Sequence, residues 1–421
     1  MDRRILFIII SILLFPCILK AEEISLTLDE AVAIALRDNR DILLKTEDIK
    51  KAKEKIAEAK ASLFPTLSFT GGWTNTRGYY SKDLAQDYST QTTLKQYLYK
   101  GGKTINTIKQ NEYKFAVSEA ILDKTKLETV LNVKKGFYTL LLAQEFNNLN
   151  KVILDNTQAH LKTMEERFQG GEASESDILR IKESIASVEG AYEASLNQAE
   201  ASQSLLRNLL YLDEKVQIKP DAQFIYEPRE IAYDEAFLKA MQTRPEIRQY
   251  EAQIKADKKA IEIAKADNRP NIYASWDYYS RSHISATTAK NWNDYNVMGL
   301  TFSWPVFDGW QTKAKVEQAI VDLKETQLTR EKTIKDIALE LKNAYLSLKN
   351  AIAQIKATES EVKVYSDNLA SVKQKYQQGI ASFLDTNDAN LKYAVSIFNK
   401  KQAVYDYIIA TSSFDKATGG L

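Results

Sequence analysis

Two periodicities alternate along the chain. In NIYASWDYY (271–279), Ile272, Ala274, Trp276 and Tyr278 alternate with Tyr273, Ser275, Asp277 and Tyr279. In VMGLTFSW (297–304), Met298, Leu300, Phe302 and Trp304 alternate with Val297, Gly299, Thr301 and Ser303. One face is apolar and the other mostly polar, the pattern of a half-buried strand. A weaker copy sets Leu94, Gln96 and Leu98 against Thr93, Lys95, Tyr97 and Tyr99. Elsewhere the pattern is helical. Lys103–Gln169 holds one glycine, Gly136, and no proline, and Gln311–Gln378 holds neither. Each stretch predicts a helix of roughly 100 Å at about 1.5 Å per residue. Such helices exceed the globular norm and need partners along their length, as in coiled coils and bundles. Shorter helices are predicted over Asp29–Ser62, over about Tyr233–Asp267, and after each long helix. Stacked end to end, they would flank the long ones.

This layout occurs twice. AIALRDNRDI (33–42) corresponds to LKAMQTRPEI (238–247), SLFPTLSF (62–69) to DNRPNIYA (267–274), and LYKGG (98–102) to VFDGW (306–310). Tyr138 matches Tyr345 and Gly171 matches Gly379. The division predicted is a first repeat over 22–219 and a second over 220–421, each built as helix, two strands, long helix, helix. The linker around 211–230 carries Pro220 and Pro228.

Each long helix stops at a related phrase, FQGGEASESDIL (168–179) and YQQGIASFLDTND (376–388). They share Gly171/Gly379, Ala173/Ala381, Ser174/Ser382 and Asp177/Asp385. Glycine after a helical run suits the left-handed position that ends a helix. Serine followed three residues later by an acid is a capping box that opens the next one. Each phrase therefore predicts a tight helical reversal. Asp385 and Asp388 stand three apart and share a helix face. In a three-fold assembly, pairs facing the axis would form a ring of carboxylates, which selects cations and binds multivalent ones. A solvated helix face is the alternative.

All five tryptophans, Trp73, Trp276, Trp292, Trp304 and Trp310, fall in the strand segments 66–99 and 271–310. Aromatic residues on alternating strands suggest a membrane β-barrel with interfacial girdles; a soluble sheet with an aromatic core is the alternative. Four strands cannot close a barrel alone, since about eight is the minimum, and an open sheet in lipid leaves unpaired edges. Three chains together would supply twelve.

Composition narrows the function. Lys plus Arg is 57 and Asp plus Glu is 56, a net charge of +1 that gives no attraction to nucleic acid. The histidines, His160 and His283, stand far apart, and the single cysteine is Cys17. With no phosphate-binding loop, zinc-protease motif or nucleophile elbow, neither enzyme activity nor a cofactor is expected. Residues 1–21 read as a secretory signal peptide: Arg3 and Arg4, then an apolar stretch over Ile5–Leu19, then Ala21. Lipidation at Cys17 is an alternative to cleavage after Ala21.

The opening SLTLDEAVAIALRDN (25–39), the RPEI at 244–247, the tandem halves and the paired Gly-x-Ala-Ser-x-x-Asp turns resemble the TolC-like outer-membrane channel proteins. The resemblance spans essentially the whole mature chain. It implies a mainly α fold with membrane β: a homotrimer joining a shared 12-stranded barrel to a long periplasmic α-helical barrel. It implies an exit duct in the cell outer membrane for a tripartite efflux pump or type I secretion system. Its partners would be outer-membrane lipid, a periplasmic adaptor (membrane-fusion) protein and an inner-membrane transporter of proton-driven or ABC type. Asp385 and Asp388 fall where the family places two aspartates at its periplasmic constriction. A closing link between neighbouring hairpins carries over to Tyr376 and Asp177. A second link needs an arginine where this chain has Ala381, opposite Ser176, so one closing contact is lacking. Arg180, at the place of Asp388 in the first turn, would replace that contact or neutralise the ring. Adaptor docking would fall on Gly171, Ala173, Ser174, Gly379, Ala381 and Ser382. A periplasmic adaptor or coiled-coil tether is the competing function.

Overall fold

A computed structural model describes residues 23–77, 84–171, 173–229, 232–285 and 288–420. The signal segment 1–21, with Cys17, lies outside them. The elements run β1 (Glu23–Leu26), α1 (Leu28–Asp38), α2 (Arg40–Ala61), β2 (Thr66–Arg77), β3 (Leu84–Lys100), α3 (Lys103–Gln169) and α4 (Glu175–Leu210). They continue β4 (Gln217–Pro220), α5 (Tyr233–Thr243), α6 (Pro245–Ala266), β5 (Asn271–Ser285), β6 (Thr288–Ser303), α7 (Gln311–Gln377) and α8 (Phe383–Ala417). The two long helices follow the proline-free stretches closely. Among the described residues, no helix is long and apolar enough to cross a membrane.

The chain packs as two compact units, which the helices α1 and α3 run through. The first unit comprises the N-terminal segment to Ala33 and Gly136–Gln223. In it β1 pairs in parallel with β4, a two-stranded sheet absent from the sequence reading. Strands of four residues, one ahead of α1 and one in the proline-bearing linker, give too little pattern to be read. Arg207, on α4, donates from Nη1 to the carbonyls of Glu214 (2.7 Å) and Val216 (3.2 Å), holding the loop that leads into β4. Phe137, Leu140, Leu206 and Leu210 are fully buried here. A Cβ on Gly136 would lie 2.9 Å from Leu209 Cδ1, so the one glycine of α3 marks a close approach to α4.

The second unit comprises Ile34–Lys135 and Phe224–Leu421. Its seam on α7 is buried at Ile337, Leu341, Ala344, Leu348, Ala351 and Ile355, a four-three alternation that keeps one stripe against a partner. The facing stripe on α8 is Ala403, Tyr407, Ala410, Phe414 and Ala417. Burying a side chain such as Leu341 or Leu348 is worth about 1.5–3 kcal/mol. The α7 helix also packs along α6, where Thr326 Oγ1 donates to Asp257 Oδ2 at 2.7 Å. Thus α8 and α6 serve different lengths of the same long helix.

The single helices expected over Asp29–Ser62 and Tyr233–Asp267 are each broken in two. Asn39 takes extended geometry and its Oδ1 accepts from the amides of Asp41 (2.9 Å) and Ile42 (3.4 Å), a cap that starts α2. At the second break Arg244 is extended because Pro245 follows it. Arg244 is 3% exposed and donates to the last carbonyls of α8, at Lys416 (3.2 Å) and Ala417 (3.4 Å). It also pairs with Glu246 (2.9 Å) and Glu340 (2.8 Å), and Lys416 pairs with Glu340 at 2.6 Å. Burial alone would raise the Glu340 carboxyl; the Lys416 hydrogen bond and the charges of Arg244 and Lys416 outweigh it and hold the group below its ordinary value. The RPEI phrase is therefore the joint where the end of α8 meets the start of α6.

The sheet of the second unit runs β2-β3-β5-β6, antiparallel throughout. Its register places Leu67 beside Leu94, Leu94 beside Trp276 and Trp276 beside Met298. One alternation needs correction. The β3–β5 register shifts between Tyr97 and Tyr99, so Tyr99 pairs with Ile272 and joins the apolar face, not the polar one. A bulge of this kind reverses the facing of every residue beyond it.

Candidate functional site: hairpin turns and a two-faced sheet

The helical reversals are built by the same local rules. At the second, Gly379 has φ +73°, its amide donates to Tyr376 O (3.0 Å), and the Ile380 amide donates to Lys375 O (2.9 Å). This pair of bonds satisfies carbonyls that the helix end leaves open. Ser382 then caps α8: its amide and Oγ donate to Asp385 Oδ2, each at 2.8 Å, and its Oγ accepts from the Asp385 amide at 3.1 Å. At the first turn Gly171 has φ +74° and its amide donates to Phe168 O at 3.0 Å. Ser174 caps α4 through Asp177 in the same reciprocal way, at 3.2 Å and 3.3 Å. Ser176 Oγ lies 2.8 Å from Ser174 Oγ. Ala173 and Ala381 are half-buried, and the turn glycines and serines are exposed.

The capping bonds lower both carboxyls below their ordinary values. The Asp177 carboxyl is below its ordinary value, first through the Ser174 hydroxyl, then the Ser174 amide, with a small contribution from the Arg180 charge. For Asp385 the Ser382 amide leads and the hydroxyl follows. The structure thus joins Ser174 to Asp177 and Ser382 to Asp385. Asp388 is exposed one turn beyond the cap, and Arg180 is exposed at the matching place. Tyr376 is 42% exposed near the end of α7, and it and Asp177 belong to different compact units.

The turns also expose apolar groups outside the predicted set: Phe168 and Leu179 at the first, Ile380 and Leu384 at the second. Their signal was the presence of large apolar residues inside polar turn phrases. Beyond β6, Phe307 and Trp310 lie edge to face at 5.8 Å and are both exposed. Trp310 holds φ +69°, a strained geometry for a side-chain-bearing residue.

The sheet has two unlike faces. On one, Leu67, Phe69, Trp73, Met298, Leu300 and Phe302 are exposed, at 60–80%. The other carries Thr93, Asp277, Gln91 and Tyr279, where Thr93 Oγ1 donates to Asp277 at 2.6 Å and Gln91 Nε2 donates to Asp277 and to Tyr279 Oη, each at 3.0 Å. Water does not tolerate so continuous an apolar face, and lipid does. A polar face opposite a lipid-facing one belongs to a barrel lumen.

The chain matches the family described as outer membrane efflux protein over residues 31–210 and 238–420. It is 20% identical to the outer membrane protein TolC of Escherichia coli over 403 residues, covering 91% of this chain and 80% of that one. It is 22% identical to the pyoverdine export outer membrane protein OpmQ of Pseudomonas aeruginosa over 327 residues, 73% of this chain and 67% of that one. The solved CmeC outer membrane channel of Campylobacter jejuni shares the fold, with TM-score 0.78 at 18% identity, covering 93% of this chain and 85% of that one. CusC does so with TM-score 0.75 at 18% identity, covering 94% and 92%. The long helices, the sheet with one lipid-compatible face and the paired turns are thus the parts of a known kind of channel, and the chain belongs to the outer membrane efflux protein family.

Proposed function

We propose that this protein is the outer-membrane exit channel of a tripartite efflux pump or type I secretion system, a passive duct made of three copies. The observation that carries the reading is the four-stranded sheet, apolar and exposed on one face, polar on the other, and, among the described residues, with β2 and β6 as its open edges. Three such sheets closing edge to edge satisfy every strand and leave no open edge in lipid. A periplasmic tether has no use for such a sheet. In this reading residues 1–21 direct export, and 22–219 and 220–421 are two structural repeats of one hairpin-bearing unit.

The hairpin turns form the periplasmic tip. Asp388, free of the capping box, faces the axis with its two symmetry mates, and Asp385 stands behind it with its charge shared with Ser382. A link between neighbouring hairpins, from Tyr376 to Asp177, holds the tip shut. Ala381 supplies no second link, and Arg180 lowers the negative charge of the ring. The adaptor seats on Gly171, Ala173, Ser174, Gly379, Ala381 and Ser382, with Phe168, Leu179, Ile380 and Leu384 as its apolar anchors. An inner-membrane transporter, proton-driven or ABC, supplies the energy.

Planar-bilayer conductance with a trivalent cation added on the periplasmic side tests this. Small cation-selective currents, blocked in the native protein and unblocked in Asp388→Ala, are expected. Currents indifferent to both the metal and the substitution would place the constriction elsewhere. Folded trimers that never insert would remove the channel reading.

A further inference from the structure

The polar face of the sheet carries more than water-compatible side chains. Tyr279 and Tyr295, opposite each other on β5 and β6, stack at 4.9 Å with 16° between their planes. The Arg281 guanidinium lies 5.3 Å from the first ring and 6.0 Å from the second. Six residues away along β5, about 20 Å at about 3.3 Å per residue, a second group repeats the chemistry. Tyr97 and Tyr273 meet at 5.5 Å, with Lys95 Nζ 3.8 Å from the Tyr273 ring and 4.9 Å from Tyr97. Lys100 Nζ adds a third cation, 4.7 Å from Tyr97.

All these rings sit on the face away from lipid, so a membrane girdle does not account for them. Cross-strand ring pairs do stabilise sheets, but that role needs no cation at each pair. Between the groups the one carboxylate, Asp277, accepts from Thr93, Gln91 and Ser275 and feels the charge of Lys95, which leaves Arg281 and Lys100 as the cations set apart from it. Asp87 shares this face, opposite Thr74 at the outer part of the sheet. Arg281 and Tyr295 are exposed, and Tyr279 is half-buried. A planar guanidinium beside open ring faces offers stacking and paired donors at once.

We propose that the inward face of the barrel carries two aromatic-cationic stations that bind planar aromatic anions, such as arenes bearing a carboxylate or sulfonate, during export. The proposal rests on the reading of the sheet as one third of a barrel with its polar face inward. In a trimer each station is repeated around the axis, and the two levels give a departing solute successive weak holds. Weak, multiple sites allow both entry and release.

The test is a fluorescence titration of the detergent-solubilised full-length protein with naphthalene-2-sulfonate and with naphthyl-trimethylammonium, a cation of like size. Saturable sulfonate binding, at least about tenfold tighter than that of the cation, is expected; an ammonium alone would favour bare rings. Arg281→Gln and the double change Tyr279→Leu with Tyr295→Leu should each weaken sulfonate binding about tenfold, by losing charge-assisted contacts or ring stacking. Heat-modifiable gel mobility checks that these variants keep the barrel. Equal affinity for the two ions, no saturable binding, or folded variants that bind like the native protein would overturn the proposal. Should the variants not fold, the two-ion comparison on the native protein decides alone. Bilayer currents from the same preparation separate the two readings. Currents without sulfonate binding remove the stations and leave the channel, whereas protein that never inserts removes the barrel and, with it, the stations.

Discussion

Two pairs of segments matched by sequence solve structural problems, one pair in the same way and one differently. The turns at Gly171 and Gly379 have nearly equal φ, +74° and +73°, and the same serine-aspartate capping box. The helix breaks at Asn39 and Arg244 correspond by sequence yet share no chemistry. Asn39 caps the next helix with its own side chain, whereas Arg244 makes no such cap and sends its charge to the end of α8 and to two carboxylates. A reversal needs only local geometry, so one short phrase serves twice. A joint between helix ends depends on what lies across it, so each break is suited to its own neighbours.

Breaking the joint at Arg244 has the largest expected effect. Arg244→Ala leaves Glu246 and the α8 carbonyls without their partner in a buried setting, at a cost of about 3–5 kcal/mol. A lower melting temperature by circular dichroism checks it, and a loss under about 1 kcal/mol would make the joint dispensable. The turns come next. Gly379→Leu costs roughly 1–2 kcal/mol through its left-handed backbone, since a Cβ there meets nothing within 4 Å. The same holds for Gly171→Leu. Both variants should form trimers and fail to recruit the adaptor, and loss of trimers on gel filtration would make the glycines purely structural.

Asn39→Ala sharpens the contrast with Arg244. Loss of a side-chain cap costs about 1 kcal/mol, several times less than loss of the charged joint. Equal melting-temperature shifts for the two variants would erase the distinction. The smallest effect concerns pH. Glu340, Asp177 and Asp385 are all held below their ordinary values. Groups lowered by folding contribute stability above their unfolded values, 4.5 for Glu340 and 3.8 for the aspartates, and lose it as pH falls through the folded values. The melting temperature should therefore fall more steeply below pH of about 4.5 in the native protein than in Glu340→Gln.

Much of this was legible in the residues. The long helices follow from proline-free stretches with at most one glycine, three of the four long strands from period-two alternation, and the turns from Gly-x-Ala-Ser-x-x-Asp. Each is a short-range property, set by backbone freedom, side-chain period or a bond spanning three residues, and the chain carries such information in adjacent positions. Other features depend on partners distant in sequence. The β1–β4 pair joins Leu26 to Pro220, and the bulge at Tyr97–Tyr99 exists only against β5. The reach of Arg244 to Lys416 and Ala417 crosses 172 and 173 positions of sequence. Alternation showed Tyr97, Tyr273, Tyr279 and Lys95 only as polar-face residues, and Arg281, Tyr295 and Lys100 stand outside the stretches it covered. Register and packing brought Tyr279 onto Tyr295 and Lys95 onto Tyr273, because cross-strand contact is decided by which strands pair and in which phase, and no single strand holds that information.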